Sequence, residues 1–202
     1  MILKGGFLLA NSVVLVRYFS LAGLLFTLVG CSVAPKLPEE GYAAISKQHL
    51  AELKHWRLEG RMSISSVDDS WSANVEWQRE PGEDTIQLSG PFGQGAVVIH
   101  LGENEVRIDR GDGRIEYSED PDLFVKERLG VFVPVRALRY WVVGLPDSSR
   151  SVRYTLQGFE QEDWRVEYKE WQSIAGKLMP RKVFVVNDKI KLKLVCDQWV
   201  IS

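Results

Sequence analysis

Residues 56–78 read WRLEGRMSISSVDDSWSANVEWQ, and their apolar side chains recur with a period of two. Trp56, Leu58, Gly60, Met62 and Ile64 fall on one side, with Arg57, Glu59, Arg61, Ser63 and Ser65 on the other. After a Ser- and Asp-rich break, Trp71, Ala73, Val75 and Trp77 repeat the pattern against Ser72, Asn74, Glu76 and Gln78. Successive side chains of a strand point to opposite faces, so this alternation describes two half-buried antiparallel strands. The period continues outward. Pro81-Gly82 turns the chain, and Ile86 and Leu88 begin a strand that stops at Ser89-Gly90. Further strands are expected near 96–101, 106–109, 114–118, 152–156, 164–168, 182–186 and 189–201. The last is the clearest: Ile190, Leu192, Leu194 and Cys196 alternate with Lys189, Lys191, Lys193 and Val195, and Asn187-Asp188 suits a tight hairpin turn before it.

Three helices are expected beside these strands. Ile45, His49, Leu50 and Leu53 lie near helical spacing within residues 42–55. Asp120 is a good N-cap with Pro121 at the first helical position; Leu123, Phe124 and Leu129 are apolar, and Gly130 can close the end. Pro134 opens a third helix with Val135, Leu138, Trp141 and Val142 on one face, and Gly144 and Pro146 stop it. The fold class is therefore mainly β with helices (α+β), with about nine or ten antiparallel strands by this count. A sheet that long curls or closes on itself.

The amino terminus reads as a leader. An apolar run over residues 18–29 follows Arg17 and ends in Leu28-Val29-Gly30-Cys31, the pattern of a basic flank, apolar core and small residues of a secretory signal. A cysteine directly after those small residues resembles a bacterial lipobox. The resemblance implies cleavage between Gly30 and Cys31, diacylglycerol on the Cys31 thiol and an acyl chain on the new amino terminus. The rival is a retained spanning helix over 7–29. Arg17 would then sit near the bilayer centre, at a cost of about 2.5–3.5 kcal/mol on insertion scales. The expected domains are a cleaved signal at 1–30, a lipidated N-terminus and tether at 31–41, and one domain at 42–202. Ser32, where Asp would signal inner-membrane retention, favours the outer membrane. Without residues 1–30 the chain keeps 23 basic and 27 acidic side chains, which gives no electrostatic case for nucleic acid. Cys196 is then the one cysteine besides Cys31, and it suits an oxidising compartment as a buried apolar residue.

Catalytic patterns are absent from the sequence. No G-x-S-x-G or H-E-x-x-H occurs, and His49, His55 and His100 sit in unrelated contexts. Asp68-Asp69 and Glu119-Asp120 lie at expected turns and caps, where acids serve local geometry. No metal site and no cofactor are expected. The loop Ser89-Gly90-Pro91-Phe92-Gly93-Gln94-Gly95 has three glycines and a proline around a large aromatic. Phe92 either folds back on its own hairpin or projects into lipid or a partner. All seven tryptophans follow Cys31, a heavy aromatic load that fits a core or a surface holding apolar ligands.

Four motifs in order, WRLEGR at 56–61, LSGPFG at 88–93, LRYWVVGLP at 138–146 and IKLKL at 190–194 with Trp199, resemble the LolB family of outer-membrane lipoprotein receptors. The likeness runs through nearly all of 31–202. It implies a half-open antiparallel β-barrel of about 10–11 strands with an α-helical lid over a hydrophobic cavity, the fold shared with the carrier LolA. It also implies a monomer, lipid-anchored in the outer membrane and facing the periplasm. Such a protein accepts acylated lipoproteins from a LolA-type carrier and inserts them into the inner leaflet without ATP. The family's protruding apolar loop residue falls on Phe92, between Pro91 and Gly93, where an aliphatic is more usual. With alternation, the cavity is expected to be lined by Leu58, Met62, Ile64, Trp71, Val75, Trp77, Trp141, Leu192 and Leu194. The other readings are a lipoprotein scaffolding an outer-membrane assembly complex, which needs a flat exposed patch, and a lipid-processing enzyme, which needs a polar cluster in the cavity.

Overall fold

The computed structural model describes residues 41–202, apart from 68, 91–94, 104, 130 and 131. The described elements are α1 (Gln48–Ala51), β1 (Trp56–Ser65), β2 (Ser70–Glu80), β3 (Glu83–Ser89), β4 (Val97–Leu101), β5 (Val106–Asp109), β6 (Ile115–Ser118), α2 (Pro121–Leu129), α3 (Val135–Trp141), β7 (Arg153–Thr155), β8 (Gly158–Gln161), β9 (Trp164–Ile174), β10 (Lys177–Val186) and β11 (Lys191–Ile201). The strands form one antiparallel sheet in the order β6-β5-β4-β3-β2-β1-β11-β10-β9-β8-β7. Each half is a meander of neighbouring hairpins, and the halves join where the first strand pairs with the last. That seam runs from Trp56↔Ile201 to Ser65↔Lys191.

The expected half-open barrel is corrected to an open sheet. Its edges, β6 and β7, are four and three residues long, and helices α2 and α3 lie in the chain between them. Edges that short offer little ladder for closure. Two local expectations also fail. Residues 42–55 do not form one helix: a 3₁₀ turn at Tyr42–Ala44 and the single turn α1 stand in its place. Tyr42 leaves the helical path to stack on Tyr168, with ring centroids 5.2 Å apart, and its hydroxyl donates to the Gly144 carbonyl at 2.7 Å. Lys47 Nζ donates to the carbonyls of Tyr42 and Ile45 and holds that bend. Strand β8 is the second: its three-residue hairpin ladder with β7 is too short for an alternation signal.

Register keeps one face apolar across the sheet. Leu58 pairs with Trp77 and Trp199, Met62 with Ala73 and Leu194, and Ile64 with Trp71 and Leu192. Val75 and Trp77 continue this face to Leu88 and Ile86, and Ile86 continues it to Ile99. A bulge between Glu59 and Gly60 sets Asp197 and Gln198 out of step. An extra residue shifts the alternation, so Trp199 joins the buried face, where its Nε1 donates to the Pro180 carbonyl at 2.8 Å. The bulge requires Gly60: a Cβ there would lie 2.1 Å from the Val195 carbonyl oxygen. Gly60→Ala is expected to destabilise the fold by about 1–3 kcal/mol, as overpacking does, because backbone at the central seam must give way. Urea unfolding would show it, and an unchanged midpoint would mean that the seam is looser than this.

Candidate functional site

Helix α3 lies against the apolar face with Val135, Ala137, Leu138 and Trp141 buried. Between its first turns and the β1–β4 half of the sheet is a small cavity of about 30 Å³. Eleven side chains line it, all apolar. Met62, Ile64, Trp71, Trp77 and Leu192 come from the expected set. Ile86, Leu88 and Ile99 reach it from β3 and β4, and Val133, Val135 and Leu138 close it from above. Its volume is roughly that of one water molecule, too small for an acyl chain unless a wall moves. The remaining expected residues, Leu58, Val75, Trp141 and Leu194, are buried but do not line this void. Trp141 instead anchors α3: its Nε1 donates to Gln161 Oε1 at 2.8 Å, and its ring packs near Trp164. The β3 and β4 residues were readable from alternation once Val75↔Leu88 and Ile86↔Ile99 were aligned.

Polar contacts fasten α3 at both ends. At the C-terminal end, Tyr168 Oη donates to the Trp141 carbonyl at 2.7 Å, and Gln161 also bonds the backbone of Asp147 on both its N–H and carbonyl. Burial raises the Tyr168 phenol well above its ordinary range, which keeps it a donor. Along the helix, Arg136 Nη1 donates to the Glu103 carbonyl at 2.6 Å and Arg139 Nη2 to the Leu101 carbonyl at 3.3 Å. Arg139 Nε lies 2.8 Å from Oδ2 of the fully buried Asp84, an ion pair without hydrogen-bond alignment. Arg79 of β2 donates to the other oxygen at 3.0 Å. Burial lifts the Asp84 carboxyl above the usual range, while Arg139 and Arg79 draw it part of the way back. Burial also raises the carboxyl of Asp122 in α2, against hydrogen bonds from the backbone of Arg136 and Val135 at the start of α3.

The opposite face is wet. A groove of about 330 Å³ runs over the bulge, lined by Glu59, Arg61, Asn74, Glu76, Asp197 and neighbours. Its charges are paired among themselves: Arg57 bridges Glu59 and Glu76, and Arg61 holds Asp197. The three histidines are apart, His49 on the Leu178 carbonyl, His55 on Glu80 and His100 on Glu83. Among the described residues no group of three or more His, Cys, Asp or Glu could hold a metal ion. Cys196 is buried beneath the sheet, and burial raises its thiol far above the ordinary value, so it is an inert core residue. Cys31 and Pro91, Phe92 and Gly93 lie outside the described residues.

Comparison with known proteins identifies the family. The family model for outer membrane lipoprotein LolB matches residues 54–199. The outer-membrane lipoprotein LolB of Chromohalobacter salexigens is 31% identical over 186 residues, covering 87% of this chain and 86% of its own. That of Pseudomonas aeruginosa is 32% identical over 196 residues, covering 91% of this chain and 95% of its own. Among solved structures, a LolA superfamily protein from Nitrosomonas europaea aligns with a TM-score of 0.49 at 5% identity, covering 75% of this chain and 87% of that one. That likeness is too weak to add to what the sheet itself shows. Similarity of sequence over most of the chain settles the family: the chain belongs to the LolB family of outer-membrane lipoproteins.

Proposed function

We propose that this chain is a receptor, anchored in the outer membrane and facing the periplasm, that takes acylated lipoproteins from a LolA-type carrier and inserts them into the inner leaflet without ATP. The observation that carries this reading is the wholly apolar cavity between α3 and the β1–β4 half of the sheet, in a chain of the LolB family. Each CH₂ withheld from water contributes about 0.8 kcal/mol, so a triacylated protein needs a sheltered path. A receptor on that path must bind the chains more tightly than the carrier and less tightly than the bilayer, each tenfold step requiring about 1.4 kcal/mol. No bond is made or broken in such a transfer, so the reading requires no catalytic group and no cofactor.

The nine expected residues have distinct parts in this proposal. Met62, Ile64, Trp71, Trp77 and Leu192 meet the chains directly; Leu58, Val75, Trp141 and Leu194 support the wall as it widens. Cys31 carries the diacylglycerol and the N-acyl chain, and residues 31–41 tether the domain. Phe92, flanked by Pro91 and Gly93, enters the bilayer at the moment of release. The receptor acts as a monomer.

The test is transfer. Residues 32–202, made without the anchor, are mixed with a LolA-type carrier holding an acylated lipoprotein, and the protein that holds the cargo is identified. Cargo is expected on this chain with no nucleotide present. Cargo that stays on a competent carrier while this chain is folded would overturn the receptor reading and favour a scaffold.

A further inference from the structure

The cavity is too narrow for an acyl chain in this structure, and the residues that narrow it from above are on α3 and just before it. Asp84 is the one acidic side chain fully buried among the described residues, and it lies at the start of β3 beneath that helix. Its two partners differ in kind. Arg79 belongs to the sheet, whereas Arg139 belongs to the helix. We propose that Asp84 and Arg139 form a separable clasp that positions α3 over the cavity, and that cargo gains entry when this pair and the Arg136 hydrogen bond to the Glu103 carbonyl part and α3 tilts about its C-terminal end. This rests on the receptor reading above and adds the residues that set how tightly cargo is held.

Three features make the pair separable. When α3 lifts, Asp84 keeps Arg79, 3.0 Å away on β2, so its carboxylate is not left alone in the core. Arg139 is 11% exposed at the closed position and reaches water with a small displacement. The contacts it leaves behind are one carbonyl, that of Leu101, and one ion pair without hydrogen-bond alignment. The other end of the helix is built differently. The Trp141 carbonyl and indole are held by Tyr168 and Gln161, both buried, and Tyr42 holds Gly144. The lift therefore pivots at Trp141, and Val133, Val135 and Leu138 are the side chains that leave the cavity wall.

A clasp predicts opposite effects from its two arginines. Arg139→Gln weakens the closed form alone. Arg79→Gln weakens both forms, but the open one more, since Asp84 then has no partner there. Apparent affinity scales with the population of the competent form, so the same factor must appear in opening and in binding. The experiment uses the full lipidated chain in vesicles of phosphatidylethanolamine and phosphatidylglycerol, a dye-labelled triacylated lipoprotein supplied on its carrier, and hydrogen exchange of the backbone. Arg139→Gln is expected to speed exchange of the Leu138 amide, which bonds the Pro134 carbonyl at the lifting end, about tenfold, the scale of one charged hydrogen bond, with β1 and β11 unchanged. Cargo held on the protein rises by the same factor. Arg79→Gln slows that exchange and lowers cargo retention. Arg139→Lys, the milder change, moves both quantities in the direction of Arg139→Gln by less, and serves if the glutamine variant folds poorly. Both arginine variants shifting exchange in one direction, or neither shifting it, overturns the clasp and leaves a cluster that only stiffens the fold. If the unaltered chain takes no cargo, the receptor reading fails, while the exchange contrast still decides the clasp.

Discussion

Phe92→Glu is expected to leave folding and cargo uptake intact and to cut delivery into the bilayer ten- to a hundredfold. Burying a phenylalanine side chain contributes roughly 1.5–3 kcal/mol, and each 1.4 kcal/mol is a factor of ten. A glutamate forfeits that gain and adds the cost of bringing a carboxylate to lipid. The loop can carry this change without disturbing the sheet, because the flanking strands are fixed on their own: Leu88 pairs with Val75 and Val97, and Asn74 Nδ2 donates to the Gly90 carbonyl at 3.5 Å. Phe92→Leu keeps an apolar tip and is expected to deliver within a few fold of the parent. The measurement is the rate at which labelled lipoprotein leaves the protein for vesicles, with loading from the carrier assayed in parallel. Loss of loading with delivery would place Phe92 in the fold. Normal delivery by the glutamate variant would remove the insertion role from this loop.

The parts of this fold that follow a local rule were readable, and those set by distant partners were not. Alternation located β1, β2 and β11, because each is ten or eleven residues long with one side buried. The start of α2 was equally plain, and Asp120 Oδ1 does accept from the Leu123 amide at 3.0 Å. Strict alternation fails at the end of β11, where it would bury Gln198 and expose Trp199; the bulge opposite Gly60 reverses the two, and nothing in residues 191–201 alone announces it. Likewise Asp84 follows Gly82 and Glu83, a run that reads as an exposed turn. Its burial depends on Arg79, its cross-strand partner before the turn, and on Arg139 far along the chain. The residues expected to line a cavity from β1, β2 and β11 share the apolar face of the sheet, as their alternation within each strand predicts. The expected set lacked the β3, β4 and α3 walls because those follow from register and helix docking, which a single strand's period does not encode.

Trp77→Ala is expected to lower the stability of the domain by about 3–5 kcal/mol, a large share of the roughly 5–15 kcal/mol that holds a domain folded. The side chain is 1% exposed, faces Leu58 and Ile86 across two ladders, lies 5.8 Å from the Trp56 ring, and borders the cavity. Removing it joins a new void to an existing one at the place where the sheet must stay firm for α3 to close. Trp77→Phe is the informative partner. Trp77 Nε1 is buried without a hydrogen-bond partner. An unmade buried hydrogen bond costs about 1–3 kcal/mol, so phenylalanine relieves that cost while giving up part of the volume. The net loss is expected below about 2 kcal/mol, because the two changes oppose each other. Urea unfolding followed by circular dichroism measures both variants, since the six remaining tryptophans complicate fluorescence. A phenylalanine variant as weak as the alanine one would show that the indole N–H contributes a bond of its own. An alanine variant close to the parent would show that this wall of the cavity already gives way.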